Sequence, residues 1–124
     1  MIEGILGRAE RAPELAVLRF PELARVSFRR GGLPPRVAGW CLGQRSVAAI
    51  TLWKTIWLGA NTSASEELLL HELRHVQQFE ASWTFPFLYV WESVRRGYWN
   101  NRFEVDARIY AARRLGRPRF PPPE

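Results

Sequence analysis

NTSASEELLLHELRHVQQFE, at residues 61–80, is the most strongly patterned segment of the chain. Ser63 precedes Glu66 by three positions, which is the spacing of a capping box at the start of a helix. Apolar residues then recur every three or four positions and form the expected core-facing side of that helix: Leu69, Leu70, Leu73 and Val76. The spacing predicts a helix from about residue 64 to residue 80.

The same helix carries the pattern H-E-x-x-H as His71, Glu72 and His75. Residues four apart on a helix lie on one face, about 6 Å apart along its axis, so two imidazoles can reach one metal ion. Glu72 points about 100° round the helix, where it can bind a water on the metal. The alternative is two surface or core-edge histidines on an amphipathic helix, but the chain has only 2 histidines and both fall in this pattern. We therefore expect a metal site, with zinc preferred over iron, cobalt or manganese.

A catalytic zinc site has three protein ligands, so a third ligand is needed downstream of the histidines. The remaining candidates are all carboxylates: Glu80, Glu92, Glu104, Asp106 and Glu124. Glu80 is out of phase with the histidines on their helix, and Glu92 is interpreted as the partner of a surface arginine. Glu104 is preferred because small residues on its own helix face, Ala107 and Ala111, would let the two helices approach closely.

Before the metal helix, the pattern predicts a small sheet. Residues 24–30 alternate apolar and polar side chains and are expected to form a short strand. VAAITLWKTIWLG, at residues 47–59, is typical of either one long strand or a hairpin that turns near Trp53 and Lys54. Residues 1–20 are interpreted as one or two short helices interrupted at Pro13.

After the metal helix, two further helices are expected. WTFPFLYVWESVRRG, at residues 83–97, predicts an aromatic helix that ends at Gly97, and residues 102–115 predict a last helix that ends before Gly116. Residues 117–124 are proline-rich and expected to be extended. The whole chain, residues 1–124, is therefore predicted to be a single α+β domain with a small mixed or antiparallel sheet.

Composition excludes several classes of protein. The chain of 124 residues has 1 cysteine, which rules out a disulfide scaffold or a cysteine-type zinc finger. The apolar run from Phe85 to Trp91 is too short to cross a bilayer, and the first residues do not resemble a secretory signal, so we expect a cytoplasmic protein. The net charge is +6, but the arginines are dispersed among acidic residues. Nucleic-acid binding is therefore not expected.

HELRHVQQ (71–78) and GYWNNRFEVDARIYA (97–111) resemble the gluzincin branch of the zincin metallopeptidases, and in particular small bacterial domains with HELxHVxQ and a later GYxxNxFExEA. The resemblance covers about residues 50–112. It implies a zincin-like fold and one zinc ion per chain held by His71, His75 and Glu104, with Glu72 as general base. It also implies that the segment before the metal helix includes an edge strand that holds an extended peptide.

The chain departs from larger gluzincins at two points. Arg108 stands where those proteins often have an acidic residue that orients a histidine, so Asp106 is interpreted either as that orienting group or as a surface partner of Arg102 or Arg113. The large carboxy-terminal subdomain is also missing. The substrate cleft is therefore expected to be shallow, or partly closed by the chain's own tail.

The resemblance implies hydrolysis of peptide or protein substrates by a metal-activated water. Tyr98 and Tyr110, which flank Glu104, are candidate donors to the oxyanion, with core or boundary packing as their alternative role. One competing interpretation is a catalytically silent or latent zinc-binding domain that acts as an interaction module. Another is a protein associated with the membrane surface through the aromatic segment and its arginines. The aromatic residues of that segment alternate along the sequence, which favours their burial in the core over contact with a membrane. They are Trp83, Phe85, Phe87, Tyr89 and Trp91.

Overall fold

The structure is a computed structural model that describes residues 6–32 and 49–116. Its strands are β1 (Arg8–Glu10), β2 (Ser27–Arg30), β3 (Ala49–Leu52) and β4 (Thr55–Leu58). Its helices are α1 (Glu14–Arg19), a 3₁₀ helix (Pro21–Arg25), α2 (Glu66–Ala81), α3 (Phe85–Asn100) and α4 (Arg102–Arg114). This is an α+β fold, which confirms the predicted class.

The four strands form one mixed sheet in the order β1-β2-β4-β3. β2 runs parallel to β4, and the other two pairs are antiparallel. β3 and β4 form a hairpin that turns at Trp53 and Lys54, so of the two alternatives for this segment the hairpin is confirmed. Trp53 adopts a left-handed backbone with φ of 55°, a conformation that a tight turn demands.

The predicted apolar face of α2 packs on the sheet as expected. Its four members are fully buried: Leu69, Leu70, Leu73 and Val76. They share one core with Phe28 of β2 and with Ile56 and Leu58 of β4. Because this packing covers one side of α2, it fixes which other side chains of the helix turn towards α3 and α4.

The start of α2 differs from the prediction. Ser65, not Ser63, is the cap, and its Oγ accepts a hydrogen bond of 3.1 Å from the backbone N–H of Leu68. A capping box cannot form, because with Ser65 as the cap its third helical position is Leu68, while Glu66 is the first helical residue and pairs with Arg19 of α1. The helix therefore begins two residues later than expected.

The amino-terminal prediction was wrong for residues 8–10. Arg8–Glu10 is a strand that pairs with β2, whereas Glu14–Arg19, after Pro13, is helical. The strand expected over residues 24–30 is shorter, because a 3₁₀ helix occupies its first part. Predictions for residues 1–5, for residues 47–48 at the start of the predicted hairpin segment and for the tail at 117–124 lie outside the described residues.

The boundaries of the two carboxy-terminal helices lie close to the predicted positions. α3 continues to Asn100, but its backbone leaves the helical region at Gly97, where φ is 78° and ψ is 167°. A non-glycine residue would be strained in that conformation. α4 begins at Arg102 as predicted and ends at Arg114, two residues before Gly116. Within the described residues, no helix is both long and apolar enough to cross a bilayer.

The expected burial of the α3 aromatics was wrong for most of them. Phe85 is buried at 3% exposure, whereas Trp83, Phe87 and Trp91 are 84%, 71% and 57% exposed. Phe87 and Trp91 are four residues apart, which places them on one side of the helix, and Trp83 lies in the turn that precedes the helix. The alternation seen in the sequence is a strand period and does not describe how a helix buries its side chains.

We predict that Leu73→Ala lowers the free energy of unfolding by about 2–5 kcal/mol, because it removes packed methyl groups from a fully buried position. Leu18→Ala on α1 is the matched control, since it is the same change in a helix at a side chain that is 77% exposed. Its expected effect is within about 0.5 kcal/mol. Urea denaturation followed by circular dichroism measures both, and equal losses would contradict the described core.

Candidate metal centre

α2 brings His71, Glu72 and His75 to the side of the helix that faces α4. The two imidazole rings stand edge to face, with centroids 5.0 Å apart. Glu72 and His75 are buried, and the His71 side chain is 14% exposed. One ligand atom from each of the three residues lies within 4.8 Å of the other two, so the group could hold a metal ion.

Glu104 reaches both histidines from the first turn of α4. Its Oε1 lies 2.8 Å from Nε2 of His71, and its Oε2 lies 3.2 Å from Nε2 of His75. Ala107 and Ala111 are buried on the same helix and allow the close approach of α4 to α2. The structure therefore brings together all four residues that the sequence singled out first.

The start of α4 is fixed by two side chains. Asn101 is fully buried, and its Oδ1 accepts a hydrogen bond of 2.8 Å from the backbone N–H of Phe103. Oε1 of Glu92 accepts the N–H of Arg102 at 3.1 Å. Glu92 is buried and also pairs with arginines, so its predicted role as an arginine partner holds, although it is not a surface residue. Glu80 points away from the centre and pairs with Arg25.

The electrostatics of the centre are dominated by the pairing of Glu104 with the imidazoles. Burial opposes the charge of Glu104, but hydrogen bonds from His71 and His75 hold its pKa well below the usual range. Burial likewise opposes charge on His75, yet the hydrogen bond to Glu104 and the nearby Glu72 raise its pKa to about 9. The buried carboxylates of Glu72 and Glu104 thus favour a positive charge at the centre.

Gln78 orients His75 from the side opposite Glu104. Its Oε1 lies 2.7 Å from Nδ1 of His75, and because an amide oxygen only accepts, Nδ1 donates. Gln78 in turn donates to Oδ2 of Asp106 at 3.0 Å, and Arg74 donates to the same oxygen at 2.7 Å. Asp106 therefore acts on His75 through Gln78. The arginine that pairs with Asp106 is Arg74, so the predicted pairing with Arg102 or Arg113 was wrong.

Thr51 of β3 holds Glu72, and the sequence analysis missed it. Its buried hydroxyl donates to Oε1 of Glu72 at 2.9 Å. Oε2 of Glu72 lies 3.9 Å from Nε2 of His71, so this carboxylate stands beside the imidazoles and is not clamped between them. The only signal in the sequence was a hydroxyl residue at an inward position of the hairpin, which is too common to single out.

Three tyrosines bear on the predicted oxyanion donor, and the structure gives each of them a different position. Tyr89, which the sequence analysis missed, donates to Oε2 of Glu104. Burial and the charge of Glu104 raise the pKa of both Tyr89 and Tyr98, so both hydroxyls keep their protons. Tyr110 was wrongly chosen as a candidate donor, because its hydroxyl accepts from Gln77 and Arg114, away from the cleft.

Arg108, at the position where the family often has an acidic residue, takes no part in orienting a histidine. Its guanidinium donates to the backbone oxygen of Trp99 and lies 3.9 Å from the centroid of that ring. The contact ties α4 to the residues that follow the break at Gly97. Nδ1 of His75 is instead hydrogen-bonded to Oε1 of Gln78.

A cleft of about 710 Å³ opens beside the centre. Glu72, His75 and Glu104 line it together with all four residues of β3 and with Tyr98. α3 forms its other wall with apolar residues that include buried Phe85 and the exposed Val90 and Val94. β3 is the terminal strand of the sheet within the described residues, which is the place where the resemblance put an edge strand.

Comparisons of the chain with protein-family models, with curated proteins and with solved structures give no match. The gluzincin resemblance therefore rests on the residues of its two motifs. Any assignment of activity depends on the arrangement of the side chains described above.

We predict that Thr51→Val lowers the free energy of unfolding by about 1–3 kcal/mol, because it leaves the buried Glu72 carboxylate without its donor. Thr55→Val is the matched control: it is the same change on the adjacent strand, and among the described residues its hydroxyl makes no hydrogen bond. The control is expected to stay within about 0.5 kcal/mol of the wild type. Indistinguishable unfolding curves for the two variants would argue against the Thr51–Glu72 bond.

Proposed function

We propose that the protein is a zinc-dependent metallopeptidase of the gluzincin type. The observation that carries this proposal is the convergence of both imidazole Nε2 atoms on the carboxylate of Glu104, with a second carboxylate, Glu72, held beside them. Two histidines from one helix and a glutamate from another form the ligand set of this class of zinc site.

The chemistry of the donor set fits zinc. Two imidazole nitrogens and one carboxylate are ligands that zinc prefers, and three protein ligands are typical of a catalytic site. The surroundings support a cation, because Glu72 and Glu104 are both buried next to the histidines. The contact of His75 Nδ1 with Gln78 supports the same assignment, because it directs the other nitrogen of the ring, Nε2, towards the centre.

In the proposed reaction, His71, His75 and Glu104 would hold the zinc ion. When bound, zinc supplies Lewis acidity, which polarises a carbonyl group and lowers the pKa of water to about 7. Glu72 would accept a proton from the attacking water and pass it to the leaving amine. Since Thr51 occupies Oε1 of Glu72, the proton would travel through Oε2.

The residues around the centre have separate roles in this proposal. Tyr89 fixes the carboxylate of Glu104 by donating to it. Tyr98 lines the cleft as a protonated hydroxyl and is the remaining candidate to donate to the oxyanion. The side of β3 away from β4, which is unpaired within the described residues, would bind an extended peptide or protein substrate through backbone hydrogen bonds.

Metal analysis tests the centre directly. Protein purified without added metal is expected to contain about one zinc per chain. His75→Ala is expected to lose it, because one of two imidazole ligands is removed, and Glu104→Gln is expected to bind zinc more weakly. Glu14→Gln, at an exposed position on α1, is the control for the glutamate change. Wild-type zinc content in His75→Ala would contradict the site.

Peptide cleavage tests the role of Glu72. In a broad peptide library, Glu72→Gln is expected to cleave about 10²–10⁴ times more slowly than the wild type while keeping its zinc, because a general base is lost but no ligand is. Glu14→Gln again serves as the control and is expected to cleave normally. Equal rates for Glu72→Gln and the wild type would refute the mechanism. Zinc binding without any cleavage would favour the silent or latent zinc-binding domain.

A further inference from the structure

The outer side of α3 is an exposed apolar surface, which we call the α3 ridge. It consists of Trp83, Phe87, Val90, Trp91 and Val94, and every member is at least 57% exposed. At about 100° per residue, the four members inside the helix fall within an arc of about 100°. Phe85 and Glu92, on the opposite side of the helix, are buried.

The α3 ridge is continuous with the proposed substrate cleft. Val90 and Val94 belong to the ridge and also line the cleft. On the hairpin side of the cleft, exposed Trp53 packs on Phe79, a lining residue, with ring centroids 5.2 Å apart. Exposed apolar side chains therefore border the cleft on both walls, and a surface that covers the ridge would meet the mouth of the cleft.

Positive charge flanks the carboxy-terminal end of the ridge. Arg95, Arg96 and Arg102 surround the single carboxylate of Glu92, with nitrogen–oxygen distances of 4.0, 3.4 and 3.8 Å. All three guanidinium side chains are about half exposed or more. One carboxylate cannot neutralise three guanidinium groups, so an excess of positive charge remains there. Arg95 also lies over the ring of Trp91, 5.8 Å from its centroid.

We propose that the α3 ridge docks on an anionic lipid bilayer and brings the mouth of the cleft to the membrane surface. Exposed tryptophan, phenylalanine and valine on one helix face, with arginines beside them, are typical of a helix that lies in the interface of a bilayer. Tryptophan is enriched at that depth because its ring is apolar and its N–H is polar. The arginine cluster would contact the acidic headgroups.

A second copy of the chain fits this surface less well. In a twofold dimer the same patch meets itself, so the arginine clusters of two copies would be brought close together. Like charges at an interface oppose association unless acidic groups compensate them. In this cluster, Glu92 is the acidic group that contacts the arginines, and it is already shared by three of them. An anionic bilayer supplies the missing negative charge, and for that reason we favour it.

The docking itself does not depend on hydrolysis, but its use to deliver substrate rests on the proposed function. A cleft held at the membrane surface would receive peptide segments that lie in or next to the bilayer. The chemical class of substrate is then an apolar, membrane-associated polypeptide. Its extended backbone would lie along β3, with side chains against the apolar wall of α3.

Vesicle binding tests the docking surface. The full chain is mixed with vesicles of phosphatidylcholine alone or with added phosphatidylglycerol, and binding is followed by co-sedimentation and by the tryptophan emission maximum. We expect a blue shift and strong binding only with phosphatidylglycerol present. Phe87→Ser combined with Val94→Ser is expected to weaken binding by at least about tenfold. Leu15→Ser combined with Leu18→Ser, an equally exposed apolar pair on α1, is the matched control and is expected to bind normally.

The charge contribution is measured separately. Arg95→Glu combined with Arg96→Glu is expected to remove the preference for phosphatidylglycerol, whereas Arg8→Glu combined with Arg11→Glu, at exposed positions near the amino terminus, is expected to keep it. Circular dichroism verifies that each variant is folded. His75→Ala is expected to bind vesicles like the wild type, so a failure of the metal centre and a failure of the docking surface are distinguishable.

Three results would overturn the proposal. The first is no binding of the wild type to vesicles with phosphatidylglycerol, as would occur if another part of the chain covered the ridge. The second is an equal loss of binding in the α1 control pair. The third is a wild-type dimer in analytical ultracentrifugation that Phe87→Ser with Val94→Ser dissociates, which would assign the ridge to a second copy.

Discussion

The bridge from Glu104 to both imidazoles is the interaction on which the rest of the site depends. A buried carboxylate is costly unless positive or hydrogen-bonding partners surround it, and here both partners come from one turn of α2. The bridge therefore fixes α4 against α2, and the buried alanines of α4 make the required distance possible. Around it, each contact restrains one of the participants: Gln78 restrains His75, Tyr89 restrains Glu104, and the cap at Asn101 fixes the turn that carries Glu104. The same negative charge that raises the pKa of His75 is what would favour a divalent cation.

The sequence predicted those parts of the site that a helical period determines. His71 and His75 had to share a face because they are four residues apart, and the buried leucines of α2 followed from the same rule. Glu104 could be chosen because its candidates were few and its helix carried small residues. Thr51 and Tyr89 could not be found in this way, because their contacts with Glu72 and Glu104 join elements that are distant in sequence. Ser65 was missed because the S-x-x-E spacing pointed to Ser63, whereas Glu66 is the first residue of the helix and Ser65 accepts the N–H of Leu68.

α3 shows why the number of apolar residues in a segment does not say where they are buried. Its inner side supplies Phe85 and Tyr89 to the wall of the cleft and Glu92 to the start of α4. This side is sufficient to attach the helix, so the remaining aromatics are not needed for packing and point outwards. Alternation in the sequence suggested burial because it treated neighbouring aromatics as equivalent, whereas the helical period assigns them to opposite sides. Exposed apolar side chains lower the solubility of a protein. An exposed apolar surface at the mouth of a cleft therefore favours a role in contact with another apolar phase.

β3 links the chemistry of the site to the position of a substrate. One of its side chains, Thr51, holds the carboxylate of Glu72, while the side of the strand away from β4 is available to an extended chain within the described residues. In the proposed peptidase, a substrate that pairs with β3 would be bound by the same rigid element that orients the general base. The distance between scissile carbonyl and base would then be determined by strand geometry and not by a flexible loop, which reduces the ordering required before reaction. Sharing one strand between substrate and base would therefore position the scissile bond with few residues.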